Sequence, residues 1–441
     1  MKKTHGIPKV SRKHFYKSAL GILKNPLPFH HQNFEKHGDT FLLNVGMGRE
    51  IIFSRDSGFA EYVLQKNQKN YTKSEIQTVD MAKYLGQGLL TAEGELWKKQ
   101  RKLIQPAFHK KQLAGLLDKV QSAIVEELKK INTAAPMDVF PVYNDLAFQT
   151  VVKSLFSSAV GQREIDRLQF ITEAAQKMLV KELRQPYLGW YFKWFGKIKE
   201  HLDLTAEARQ ILTRIIEDRK QSGKREDDLL DMLLDARYED GNTMTHEQLI
   251  DEILILFTAG HETTSNALTF ITQLLGRNPQ VQEKILGEVQ LAKDNSEDLM
   301  GFLRHCRYTQ AVVEEGMRLY PPVYFIDRVN LEDDEFEGKF YPKGSSLLFS
   351  IYEIHRHPKH WKDPEQFLPA RFLEGKYASF FPFGAGPRKC IGNNFAMYEM
   401  VMTVAELVSR YKIEAGPGEI QIQPLITLKP KNAVLQFKLR K

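Results

Sequence analysis

The sequence is poor in cysteine and has no long apolar run. Only two of its 441 residues are cysteines, Cys306 and Cys390. Two cysteines cannot build a disulfide framework, and nothing in the chain points to an oxidising compartment. No stretch reaches the roughly 18 apolar residues of a membrane-spanning helix. The basic N-terminus, MKKTHGIPKVSRKHFYKSALGILKNPLPF, also lacks the apolar core and cleavage site of a signal peptide. A solvated terminal segment in a cytoplasmic, bacterial-type protein with no transmembrane segment is expected. Linker-like runs, internal repeats and low-complexity tracts are missing too, so residues 1–441 are expected to form one large domain. The net charge of +7 would suit nucleic acid, but no nucleic-acid motif occurs, and no such partner is expected.

At 42% hydrophobic residues, the chain can bury a sizeable core. Residues 40–45 and 50–54 alternate as hairpin strands around Gly46-Met47-Gly48. Helical patterns cover about 56–67, then 94 to Pro106, 111–131, 140–156, 163–183 and 205–222. A long helix begins near Met244, where Thr245 and Gln248 make a capping box. Further helices are predicted over 278–292 and 308–319. The β-rich parts are about 38–55 and 323–351, with a closing hairpin over 411–440. The fold class is therefore mainly α with a small β-rich part.

Residues 383–392 read FGAGPRKCIG. Cys390 sits in a frame of glycines, an aromatic and an arginine. A thiolate ligand must stay deprotonated, which needs N–H donors and positive charge nearby. Gly384, Gly386 and Gly392 permit tight turns and close approach to a flat cofactor. Arg388 can pair with a carboxylate on that cofactor's rim. A strongly helical run follows, so Cys390 is expected at a helix N-terminus, where the dipole favours negative charge.

A second feature interrupts the long apolar helix: Ala259-Gly260-His261-Glu262-Thr263-Thr264. Glycine there costs about 1 kcal/mol relative to alanine. An acid and a hydroxyl in an apolar run add desolvation costs. Local violations of this kind are expected where function overrides stability. Thr263 can bond back to the Ala259 carbonyl, bending the helix and opening a notch for water or dioxygen. A zinc-protease reading of His261-Glu262 fails, because Ser265 occupies the second histidine position. His355, His357 and His360 are read as a polar loop rather than a metal site.

The Cys390 loop matches FxxGxRxCxG at Phe383, Gly386, Arg388, Cys390 and Gly392. It resembles the haem-ligand loop of the cytochrome P-450 family of haem-thiolate monooxygenases. The helix motif is similar to that family's (A/G)Gx(D/E)T, with Glu262 as the acid. Glu315 and Arg318, at i and i+3, precede LYPP, and FLPARF with Arg371 follows. These resemble the family's ExxR and PERF motifs, with Ala370 in place of the usual glutamate. Trp97 and Arg101 match its WxxxR.

The resemblance implies the P-450 fold, haem b with Cys390 as the iron ligand, and a catalytic proton relay through Glu262 and Thr263. It places Trp97, Arg101, Arg328 and Arg388 on the haem propionates, and Ala259 and Gly260 along the cofactor. It gives Glu315, Arg318 and Arg371 a structural role. Electrons from NAD(P)H would arrive through a separate ferredoxin or flavodoxin with its reductase. The basic residues Lys98, Lys99, Arg101, Lys102, Lys110, Lys111, Arg388 and Lys389 are either a docking face for such a donor or a solvated face.

By resemblance, the wall for a small organic substrate includes loop 71–88, segment 186–198, Phe257, Val323, Phe325 and Ile426. The expected reaction is C–H hydroxylation or oxidative O-demethylation of a fatty acid, terpenoid or methylated sugar. A peroxide-driven peroxygenase, an isomerase or a haem sensor would not need the Glu262-Thr263 pair.

Overall fold

Helices interrupted by short strands follow the chain's hydrophobic periodicity closely. The structure is a computed structural model and describes residues 4, 6–46, 49–157 and 159–440. Met47 and Gly48 of the expected hairpin turn lie outside the described residues. The chain divides into two compact units, each described by itself.

The first unit comprises residues 1–74, 311–390 and 420–431. Its five-stranded sheet runs in the order Thr40–Gly46, Arg49–Ser54, Ser346–Ser350, Phe325–Asn330, Tyr71–Thr72. The first two strands form an antiparallel hairpin with Thr40 opposite Ser54, and an irregularity between Asn44 and Gly46. Arg49–Ser54 pairs in parallel with Ser346–Ser350, which pairs antiparallel with Phe325–Asn330. One side of this unit is an aromatic core. Phe41 stacks on Phe53 with centroids 5.2 Å apart, and Phe34 meets Phe41 edge-on.

The second unit comprises residues 75–310, 391–419 and 432–441, and is mostly helical. Its longest helix, His246–Arg277, has 32 residues and is buried on most sides, as its apolar run demands. Thr245 caps it by accepting from the Gln248 N–H at 3.2 Å. Phe257 on this helix packs on Phe148 and Phe156 of the helix Phe140–Phe156. A three-stranded sheet joins Met137–Asp138, Val434–Leu439 and Tyr411–Ala415.

Several expected boundaries move. The helix predicted over 111–131 breaks at Gly115-Leu116 into Lys110–Ala114 and Leu117–Leu128. The helix expected from 205 begins at Lys197, where Lys197–Glu200 and Lys199–Asp203 pairs support a polar first turn. The closing hairpin is split. Strand Tyr411–Ala415 pairs with Val434–Leu439, and a separate hairpin, Gln421–Pro424 with Leu428–Lys431, belongs to the first unit. Among the described residues no helix is long and apolar enough to cross a membrane.

Candidate functional site

The Cys390 loop is built on glycine. Gly384 and Gly386 have φ of 69° and 68°, a region that L side chains rarely adopt. A Cβ on Gly386 would lie 2.0 Å from the Leu64 carbonyl oxygen, so no other residue fits there. The turn is closed by the Cys390 N–H donating to the Phe383 carbonyl at 2.9 Å and by Lys389 N–H to Gly386 O at 3.1 Å. The following helix starts at Asn393, with Gly392 in the N-cap position. Cys390 therefore precedes the first helical turn rather than lying in it. Cys390 is exposed, whereas Cys306 is buried, and burial pushes the Cys306 thiol up to about 12. Of the two, only Cys390 is exposed to a ligand.

An ion network lies upstream of that loop in the same unit. Glu315 and Arg318 are fully buried and Arg371 nearly so. Arg318 grips Glu315 with two bonds of 2.8 and 2.9 Å. Arg371 Nε reaches Glu315 at 3.2 Å, and the Leu368 N–H donates to the same carboxylate at 2.9 Å. Arg318 also donates to the carbonyls of His355, Pro364 and Gln366. Glu315 serves both guanidinium groups, and Ala370 is exposed, so a carboxylate at 370 is not needed to complete the set. His355 continues the chain of contacts. Its Nε2 accepts from the Phe381 N–H at 2.8 Å, at the start of the cysteine loop. Burial lowers the His355 pKa to about 3 and keeps the ring neutral for that bond. His357 bonds Asp39, and His360 bonds Ser57. Among the described residues no three His, Cys, Asp or Glu side chains gather as a metal site.

In the second unit, the long helix runs unbroken through the acid–hydroxyl stretch. Thr263 Oγ1 donates to the Ala259 carbonyl at 2.7 Å. Ala259 is exposed, and Gly260, Glu262 and Thr263 are half-buried, while Phe257, His261 and Thr264 are buried. The helix thus opens one short stretch of an otherwise covered surface. Gly260 also has a packing reason. A Cβ there would lie 2.9 Å from Val151 Cγ2 on the neighbouring helix. His261 turns inward against the Phe148 ring, at 5.3 Å.

Trp97 and Arg101 lie one turn apart on the helix Gly94–Ile104, with Trp97 buried and Arg101 half-buried. Arg101 Nε donates to Gln105 Oε1 at 3.0 Å. Arg328, in the first unit's sheet, is 8% exposed and donates to the Asp327 carbonyl.

The side chains expected at the substrate wall divide between core and surface. Phe257 is fully buried among Phe148 and Phe156, so it is core. Phe325 turns its ring onto His30 and Phe53, which makes it part of the sheet packing. In the aromatic segment only Phe192 is buried, while Tyr187, Trp190, Tyr191, Trp194 and Phe195 are exposed. Val323 is exposed and Ile426 half-buried. Their segments are tied by the Tyr324 hydroxyl to the Leu425 carbonyl at 2.6 Å and by Leu428 N–H to Pro322 O at 2.8 Å.

One buried acid was not singled out from the sequence. Glu399, on the helix after the cysteine loop, accepts from Thr150 Oγ1, and its Oε2 finds no partner among the described residues. Burial pushes its pKa up to about 8. The signal was present: an acid inside the apolar run FAMYEMVM is the same violation that marked Glu262.

Comparison with known proteins follows the same line. Residues 11–437 match the family model described as Cytochrome P450. Cyclooctat-9-en-7-ol 5-monooxygenase of Streptomyces melanosporofaciens is 29% identical over 408 residues, covering 91% of this chain and 88% of that protein. A Drosophila melanogaster protein named Probable cytochrome P450 4s3 is 30% identical over 428 residues, covering 90% and 84%. Taurochenodeoxycholic 6 alpha-hydroxylase of Sus scrofa is 28% identical over 420 residues, covering 89% and 82%. A solved structure, retinoic acid bound cyanobacterial CYP120A1, is similar in fold, with a TM-score of 0.81 at 24% identity and 96% coverage of both chains.

Proposed function

The chain belongs to the cytochrome P450 family of monooxygenases, and from that premise we propose that it hydroxylates an unactivated C–H bond, with Cys390 as the residue that would hold the iron of haem b. The observation that carries this is the cysteine loop: one exposed cysteine on a turn that only glycine can make. The residues fit the group. Cys390 is a soft sulfur donor, exposed on a turn whose Gly384 and Gly386 carry no side chain to hinder a flat group.

When bound, haem with a thiolate ligand would activate dioxygen, so that one oxygen atom enters the substrate and the other leaves as water. The chain's own groups do the rest. The loop bonds to Phe383 and Gly386 hold Cys390 in place, and the positive charges of Arg388 and Lys389 favour its thiolate. Trp97, Arg101, Arg328 and Arg388 would bind the haem carboxylates through an indole N–H and three guanidinium groups. Thr263 donates its proton to Ala259 O, which fixes the hydroxyl and leaves lone pairs on Oγ1 to accept from water. The half-buried Glu262 beside it would resupply protons from solvent.

The named reactions of two relatives are oxygenations at a numbered carbon, a 5-monooxygenation and a 6 alpha-hydroxylation. They favour hydroxylation over O-demethylation for this chain. Residues 1–441 act as one cytoplasmic haem domain, and NAD(P)H supplies electrons through a separate ferredoxin or flavodoxin with its reductase. The test is the reduced, carbon monoxide-bound protein. A strongly red-shifted Soret band is expected, and Cys390→Ser should abolish it. A band that persists in the variant overturns the ligand assignment. Steady consumption of O2 and NAD(P)H with surrogate redox partners then separates a monooxygenase from a haem sensor.

A further inference from the structure

The segment 86–92, just before the helix that carries Trp97 and Arg101, is clasped by two adjacent acids of the long helix. Asp251 Oδ2 accepts from the Gln87 N–H at 2.7 Å, and Glu252 Oε2 accepts from the Leu89 N–H at 3.1 Å. Arg209 Nη2 holds the other Asp251 oxygen. Both acids are buried, at 6% and 1% exposure. The backbone is pressed so closely onto them that side chains are excluded. A Cβ on Gly86, whose φ is 81°, would lie 2.1 Å from Asp251 Oδ1. A Cβ on Gly88 would lie 2.6 Å from Ile255 Cδ1 and 2.9 Å from Glu252 Oε2. The segment is also locked from within, by Thr91 Oγ1 to Gly86 O at 2.7 Å and Ala92 N–H to Gly88 O at 2.7 Å.

The lock then passes to the next helix. Gln100, 1% exposed, donates from Nε2 to the Gln87 carbonyl at 2.8 Å. Gln100 sits between Trp97 and Arg101 on the helix Gly94–Ile104. The same long helix carries Glu262 eleven residues beyond Asp251, about three turns away and so on the same face. Burying two carboxylates is costly, and apolar packing would hold a loop more cheaply. What charged acceptors add is directional, charge-assisted bonds to chosen backbone groups.

We propose that Asp251 and Glu252 are positioning residues that set segment 86–92 and, through Gln100, the orientation of Trp97 and Arg101. The clasp thereby fixes the two anion-binding side chains in register with the helix that bears the Glu262-Thr263 pair. This rests on the reading of Trp97 and Arg101 as partners of the haem carboxylates.

The test uses holoprotein and two readouts: hydrogen exchange at the Gln87 and Leu89 amides, and the rate of haem transfer to an excess of apoglobin. Asp251→Leu and Glu252→Leu should each raise exchange at the clasped amide and haem loss, both about tenfold, from the loss of a charge-assisted bond. The position of the carbon monoxide band should not move, because Cys390 is untouched. Glu252→Gln keeps an acceptor and should restore both values. Gln100→Leu should speed haem loss to a similar degree while the Leu89 amide stays protected. It also carries the test if the leucine variants do not fold. Wild-type exchange in the Asp251 and Glu252 variants overturns the clasp. Raised exchange with wild-type haem loss, in those variants or in Gln100→Leu, overturns the positioning role. A wild-type protein that takes up no haem is a different failure: it removes the haem reading and this role with it.

Discussion

Glu315→Gln should cost more stability than any surface change in this molecule. The glutamate accepts two bonds from Arg318, one from Arg371 and one from the Leu368 N–H. It is the carboxylate between two guanidinium groups that are 0% and 8% exposed. A glutamine keeps one acceptor oxygen and aims an NH2 group at donors. It also removes the negative charge, leaving two buried cations facing each other. Breaking one partner out of a buried ion set costs about 3–5 kcal/mol. The carbonyls of His355, Pro364 and Gln366 still solvate Arg318, which argues for the lower end of that range. Against a total stability of roughly 5–15 kcal/mol, that loss is large. Urea unfolding of the apoprotein, followed by far-UV circular dichroism, gives the number without haem. The paired control is Glu315→Leu with Arg318→Met and Arg371→Met. It removes all three charges and should fall well short of the single variant's loss. A Glu315→Gln loss below about 1 kcal/mol, within the range of an exposed pair, would refute the argument that the network is held by a buried counter-charge.

Three further outcomes follow from the geometry. Gly386→Ala should destabilise the cysteine loop, because a Cβ meets the Leu64 carbonyl at 2.0 Å; the haem content of purified protein should fall, and full loading would contradict the contact. Glu399, with its pKa pushed from the ordinary 4.5 to about 8, binds a proton when folded that the unfolded chain has released. Its contribution is therefore fully present below pH 4.5 and is lost as pH rises toward 8, by up to about 1.4 kcal/mol per pH unit. Glu399→Gln should flatten that decline, and a variant whose unfolding midpoints fall with pH as steeply as the wild type's would show that Glu399 is not the group titrating. Thr263→Ala removes the hydroxyl bonded to Ala259 O; with surrogate redox partners, reducing equivalents should go to peroxide rather than product, and unchanged coupling would take Thr263 out of the proton relay.

Most helices and the chemistry-bearing motifs were legible because their signals are local. The Thr245 cap, the glycine frame of Cys390 and the Thr263 back-bond each involve residues within a few positions of one another. Glu315 and Arg318 were legible as a helical pair, but Arg371 joins from 53 residues beyond Arg318 and was reached only through a family pattern. Phe257 shows the opposite problem. An aromatic on a helix that is apolar on most sides gives no sign of which neighbour it meets, and only the fold sets it against Phe148 and Phe156. The aromatic run at 187–195 is undirected for a related reason. Its composition does not say which rings are covered, and on the folded segment Phe192 is buried while the others are exposed.

The acids separate into those that sequence can place and those that only the fold can. Glu262 and Glu399 both break an apolar helix, so the violation itself is visible in one dimension. What differs is the outcome. Glu262 is half-buried, while Glu399 is sealed beside Thr150 and its pKa is pushed up to about 8. Asp251 and Glu252 lie near the start of the same long helix, where acids are ordinary, and their partners are backbone amides about 160 residues earlier in the chain. The only trace they leave in sequence is indirect, in Gly86 and Gly88, where a backbone must come too close to a carboxylate for any side chain to remain. Glycines spaced by one residue, as Gly86 and Gly88 are, are therefore informative about contacts that the acids themselves do not reveal.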